Sequence, residues 1–181
     1  ARHADEYFPL LMPSVFESFI FDDYDLVISV TSESAKGIIT KPGTLHICYC
    51  LTPTRYLWSG FEEYFDNKFI KSLSRPAVSY LKRWDKVASF RPDAYIAISK
   101  EVQNRIKRFY GQSSTIIHPP VDLMNSYKND ISKKDVGSYF LVVSRLVRYK
   151  RIDLAIKACN ELGVPLKIVG VGSDLPFLKS I

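Results

Sequence analysis

Six short apolar runs punctuate the chain: DLVISV (25–30), LHICYC (45–50), AYIAIS (94–99), STIIH (114–118), YFLVVS (139–144) and LKIVG (166–170). Each is rich in β-branched or aromatic residues and bounded by turn formers. Pro42-Gly43 precedes the second, Arg91-Pro92-Asp93 the third, and Pro119-Pro120 stops the fourth, so each is predicted to be a strand. Between them the period changes. Val102, Ile106 and Phe109 share one stripe of a predicted helix over 100–110, with Ser99 as its cap and Gly111 as its stop. Residues 151–162 place Ile152, Ala155, Ile156 and Cys159 on one face and end at Gly163. A long helical pattern over 61–90 is expected to break at Pro76, which can open a second helix at its first turn. Strands alternating with helices predict an α/β protein with parallel sheets covered by helices on both faces.

The polar stretch 121–138, VDLMNSYKNDISKKDVGS, lacks periodicity and reads as a linker. It separates a first unit, 1–120, from a second, 139–181. The second holds two strands, one helix and the start of another. A single βαβ leaves one sheet face and both edges bare, so the chain is expected to be part of a longer protein with both domains incomplete.

Composition narrows the class. At 46% hydrophobic and 24% charged residues, the chain is an ordinary globular sequence rather than a disordered one. No apolar run reaches the roughly 20 residues of a spanning helix, which predicts a cytoplasmic protein or one held peripherally at the inner face of a membrane. Cys48, Cys50 and Cys159 have no framework spacing and read as reduced, structural thiols. His3, His46 and His118 form no recognised metal pattern, and His46, inside a strand, reads as a core histidine. The net charge of +6 is concentrated late: residues 131–181 carry nine basic and four acidic residues. An anionic partner is expected there. No nucleic-acid-binding module is present, and the basic residues fall on turns and a helix, so nucleic acid is not expected as a partner.

VVSRLVRYKRID (142–153) carries the most chemistry. A strand runs into a turn bearing Arg145 and Lys150, and a helix follows at once. Two fixed cations beside a helix N-terminus suit a diphosphate, whereas Arg148 and Arg151 read as solvated charge. Gly170-Val171-Gly172 follows the next strand, where glycines permit close approach of a ligand.

The stretch VSRLVRYKRIDLAIKACNELGVPLKIVGVG resembles the donor half of family 4 glycosyltransferases, a retaining family of GT-B fold. HICYCLTPTRYLW, YDLVIS, RPDAYIAISKEV and IIHPPVD resemble its acceptor half, in the same order, closest to mannosyltransferase-like members of bacterial polysaccharide assembly. The resemblance implies two Rossmann-like parallel-sheet domains facing a cleft, with Arg145 and Lys150 on the donor diphosphate and Ser144, Gly170 and Gly172 beside them. It implies hexose transfer, mannose from GDP-mannose first, to a saccharide or lipid-linked saccharide. No cofactor or metal is implied beyond the nucleotide sugar as substrate. Leu51, Thr52, Arg55 and Trp58, with Tyr56, would line the acceptor or sugar side, and His118-Pro119-Pro120 would stiffen the exit toward the linker.

Departures accompany the likeness. Ser144 stands where the family has glycine, and Leu51 stands where it has a histidine that hydrogen-bonds the sugar. The family's Gly-rich loop would precede residue 1, and its paired glutamates would follow Ile181. A sugar-nucleotide-binding remnant with impaired or no catalysis is therefore the alternative expectation. Over 68–91, Lys68, Lys71, Arg75, Lys82, Arg83, Lys86 and Arg91 accompany an apolar stripe of Tyr80, Leu81, Trp84 and Ala88. This segment reads either as a core-packed helix with a solvated basic face or as a membrane-surface contact.

Overall fold

In a computed structural model, the chain divides into two compact units, Ala1–Pro120 and Val121–Ile181. Residues 9–60, 68–121 and 137–181 are described, with side chains from residue 74 onward in the second stretch. The residues 61–67 of the expected long helix and most of the expected linker lie outside them.

Among the described residues, unit 1 opens with helix α1 (Met12–Glu17). Strands β1 (Leu26–Thr31), β2 (Leu45–Cys50), β3 (Ala94–Ala97) and β4 (Thr115–Ile116) follow. They form one parallel sheet in the order β1-β2-β3-β4. Helix α2 (Lys68–Ala88) links β2 to β3, and α3 (Lys100–Arg105) continues through a π-helical turn (Ile106–Tyr110) before β4. Ser99 caps α3 by accepting the Val102 N–H at 3.2 Å, and Gly111 ends the turn in the left-handed region at φ 75°.

Two expectations need correction. α2 does not break at Pro76 but runs through it from Lys68 to Ala88. Proline removes one backbone donor and crowds the carbonyl one turn back, at a cost of about 3 kcal/mol. The helix is held in spite of this by Leu81, Asp85 and Ala88, which are buried at i, i+4 and i+7. Nor, among the described residues, are both faces of the sheet covered. Ser29, Thr31, His46, Cys48, Cys50, Tyr95 and Ala97 are buried, and the last four join a core with Val102, Ile106 and Tyr110. On the opposite face Leu26, Ile28 and Val30 are 48%, 57% and 61% exposed. Strand order explains this. Right-handed crossovers between strands added in chain order all pass over the same face, and covering the second face needs a reversal of order that these four strands lack.

Unit 2 pairs β5 (Phe140–Val143) with β6 (Leu166–Val169) in parallel, joined by α4 (Ile152–Leu162) and followed by the short α5 (Leu175–Leu178). Its core is Leu146, Ile152 and Leu178, with Val142, Ile156, Ile168 and Leu175 packed around them. Gly163 ends α4 at φ 64°, as the left-handed stop of a helix requires.

Candidate functional site

The turn after β5 is shaped by backbone. Ser144 N–H donates to Val169 O at 3.1 Å, Leu146 N–H to Val171 O at 2.9 Å, and Asp174 N–H back to Leu146 O at 3.0 Å. The two strands thus stay zipped past their ends. Gly170 sits at φ 157°, where a Cβ would lie 1.8 Å from Ser144 O, and a Cβ at Gly172 would lie 2.0 Å from Leu146 O. Both glycines therefore permit close approach of the chain's own backbone. Alternation along the zipped segment buries Leu146 in the core and leaves Arg145 exposed.

Arg145 and Lys150 meet on one side chain that the sequence reading passed over. Arg145 Nη2 donates to the Tyr149 hydroxyl at 2.8 Å, and Lys150 Nζ stands 5.5 Å from the centre of the Tyr149 ring. Residues Arg148–Lys150 form one 3₁₀ turn that brings the three together. Arg151 follows in the left-handed conformation at φ 51° and donates twice to Asp153, at 3.0 and 3.1 Å. That donation holds the Asp153 carboxyl below the usual carboxylate range. Ser144 is half-buried, its hydroxyl donating to Arg145 O at 3.1 Å. The exposed, cation-bearing turn can attract an anion, and it carries no carboxylate, imidazole or thiol of its own.

In unit 1 the loop after β2 carries Leu51, Thr52, Arg55, Tyr56 and Trp58. Leu51 extends the sheet by donating its N–H to Thr31 O at 2.9 Å, and its side chain is exposed. Thr52 and Arg55 are half-buried, with Arg105 Nη1 approaching Thr52 Oγ1 at 3.5 Å. Trp58 is built in as an anchor. It stacks on Phe109 with ring centres 5.3 Å apart, meets Tyr110 edge-on at 6.1 Å, and lies 4.7 Å from Lys82 Nζ. Its indole N–H donates to Asp85 Oδ2 at 2.7 Å. Asp85, Lys36 and Thr54, all buried, went unnoticed in the sequence. The available signal was Asp85 falling on the same helical line as Leu81 and Ala88, where a charged residue looked like solvent face. Tyr80, expected in that apolar stripe, is more than half exposed, and Arg75, Lys82 and Arg83 of the same helix are exposed as well.

His46 lies beneath the sheet, away from the loop. Its Nε2 shares a 2.9 Å hydrogen bond with Ser29 Oγ, its backbone N–H donates to Asp93 Oδ2 at 2.8 Å, and its Nδ1 has no partner. Burial depresses its pKa, with Asp93 opposing in part. Cys48 and Cys50 are free and buried on the same face. The Cys50 thiol hydrogen-bonds Cys48, which lowers the Cys48 pKa and raises that of Cys50. Among the described residues no group of three or more His, Cys, Asp or Glu could hold a metal ion, and no helix is long and apolar enough to cross a membrane.

No family model, no curated protein and no solved structure matches the chain.

Proposed function

We propose that this chain is a GT-B glycosyltransferase segment that binds a nucleotide sugar through its diphosphate at the turn 144–150 and serves retaining transfer of a hexose, mannose first, to a saccharide or lipid-linked saccharide. The observation that carries this reading is the gathering of Arg145 and Lys150 on Tyr149, at the carboxyl ends of two parallel strands. In such a transfer the bond from the sugar's anomeric carbon to the diphosphate breaks and a bond to the acceptor oxygen forms, the acceptor's hydroxyl proton passing to the departing diphosphate. Negative charge grows on the departing diphosphate, so cations fixed beside it stabilise the transition state more than the ground state. Arg145 and Lys150 take that role, and Thr52 and Arg55 belong to the acceptor or sugar side. The exposed basic residues of α2 with Tyr80 support docking at an anionic membrane surface where a lipid-linked acceptor resides.

Titration calorimetry with GDP and UDP tests the donor half. Saturable binding that Arg145→Ala and Lys150→Ala each weaken at least about tenfold is expected from loss of a charge-assisted contact. Equal, salt-sensitive uptake of any polyanion would sink it. The apolar side chain of Leu51, exposed at the end of β2, favours a second reading in which donor binding survives without turnover. A transfer assay comparing the chain with its Leu51→His variant separates the two: turnover gained only by the variant selects the second.

A further inference from the structure

Asp85 and Lys36 form an ion pair in which both side chains are only 2% exposed. Around this pair three segments distant in sequence converge. Lys36, from the 3₁₀ turn Ser34–Gly37, donates to Asp85 Oδ1 and to Glu33 O at 2.7 Å. Its ammonium stands 5.3 Å from the Tyr110 ring centre and 5.9 Å from that of Trp84. From the loop after β2, Thr54 donates to Asp85 Oδ1 at 2.9 Å and Trp58 to Oδ2 at 2.7 Å. Every partner is a donor, and an ionised carboxylate accepts only, so the match of chemistry is complete.

Stability alone does not account for such a pair. Two buried charges replaced by well-packed apolar residues of similar volume often leave a fold as stable or more so. What apolar residues cannot supply is a pair of acceptors facing Thr54 and Trp58. These two lie four residues apart and bracket the turn in which Leu57 and Trp58 donate to Thr54 O, at 3.1 and 3.2 Å, and Gly60 donates to Arg55 O at 2.7 Å. With both ends of the turn fastened to one carboxylate, Arg55 and Tyr56 have a single placement at the carboxyl edge of the sheet. We propose that Asp85 is a positioning residue: its buried carboxylate, neutralised by Lys36, sets the conformation of the loop Leu51–Gly60. Lys36 balances the charge, and Thr54 and Trp58 transmit the constraint.

Amide hydrogen exchange on the whole chain tests this, using Thr54→Val, Asp85→Asn and the double variant. Thr54→Val should speed exchange at Leu57, Trp58 and Gly60 by about tenfold or more, the equivalent of one lost hydrogen bond to a charged group. The amides of β2 and β3 should stay slow. Asp85→Asn should loosen the same loop, and the double variant should exchange there no faster than Asp85→Asn alone, because both changes act through one carboxylate. Unchanged loop exchange overturns the proposal, as does core exchange rising in step with the loop in Thr54→Val. Should Asp85→Asn fail to fold, Trp58→Phe takes its place beside Thr54→Val. A second readout alone rests on the glycosyl-transfer reading: Thr54→Val should raise the KM for acceptor with that for donor unchanged. A loosened loop with unchanged acceptor KM upholds the positioning role and removes the loop from the acceptor side.

Discussion

In unit 1 the loop beyond β2 is fastened by side chains: Thr54 and Trp58 reach a buried carboxylate that Lys36 neutralises. In unit 2 the turn beyond β5 is fastened by backbone: Ser144 and Leu146 donate to Val169 O and Val171 O, and Asp174 donates back to Leu146 O. The first device depends on charge. The second is indifferent to charge but has no room for one added carbon. Each suits its residues. Unit 2 keeps its cations outward, and a rigid backbone can hold them without a buried counter-charge, whereas unit 1 has an aromatic interior deep enough to shelter an ion pair.

Adding a methyl group gives the sharpest contrast. Gly170→Ala would push a Cβ to 1.8 Å from Ser144 O, in a conformation that L residues rarely adopt. Both partners are backbone, so the zipped turn must open, at about 3 kcal/mol or more. Exchange at β5 and β6 amides should rise steeply while unit 1 stays protected; full protection of β5 would break the comparison.

Next comes the charge device. Lys36→Met and Asp85→Asn should each cost about 3–5 kcal/mol in urea unfolding, because each leaves a buried group uncompensated. The double variant should cost clearly less than the two losses combined. Strict additivity would mean that the pair is not a unit.

Tyr149→Phe should act on binding alone. The hydroxyl accepting from Arg145 disappears while the ring beside Lys150 remains. GDP affinity is expected to fall by about three- to tenfold with no shift in the urea midpoint, since one exposed hydrogen bond contributes about 1 kcal/mol. A fall as large as that of Arg145→Ala would place the phenol itself on the ligand.

The smallest effect is a pH dependence confined to unit 1. Burial holds the folded pKa of His46 below its ordinary value of 6.5. The unfolded chain therefore binds more protons just below that pH, and stability, complete above about 6.5, declines as the solution is acidified toward the folded pKa. Glu17 and Asp153, depressed below their ordinary 4.5 and 3.8, contribute stability that is fully present above those values and is lost only as the pH falls below them. Urea midpoints between pH 7 and 5 should slope downward in the wild type and flatten in His46→Gln. A slope that persists would move the effect to another group.

Much of the fold was legible because it is local. Period two with β-branched residues marks the strands, and period 3.6 with Ser99, Gly111 and Gly163 at the ends marks α3 with its π-helical turn and α4. Arg145 and Lys150 could be singled out because a turn between strand and helix exposes what it carries. Tyr149 could not, since its role depends on a 3₁₀ turn closing between two cations. Pro76 misled for the opposite reason: its local cost is real, and the helix survives through residues packed a turn or more away.

The sequence by itself determined an α/β chain with parallel strands and an exposed cationic turn, because side-chain period and turn chemistry act over a few residues. Only the tertiary structure decided that Lys36 meets Asp85 across 49 positions, that Gly170 makes room for Ser144 O, and that one face of the four-stranded sheet is left uncovered by the described residues. Strand order and crossover side select those partners, and neither is encoded in the residues that meet.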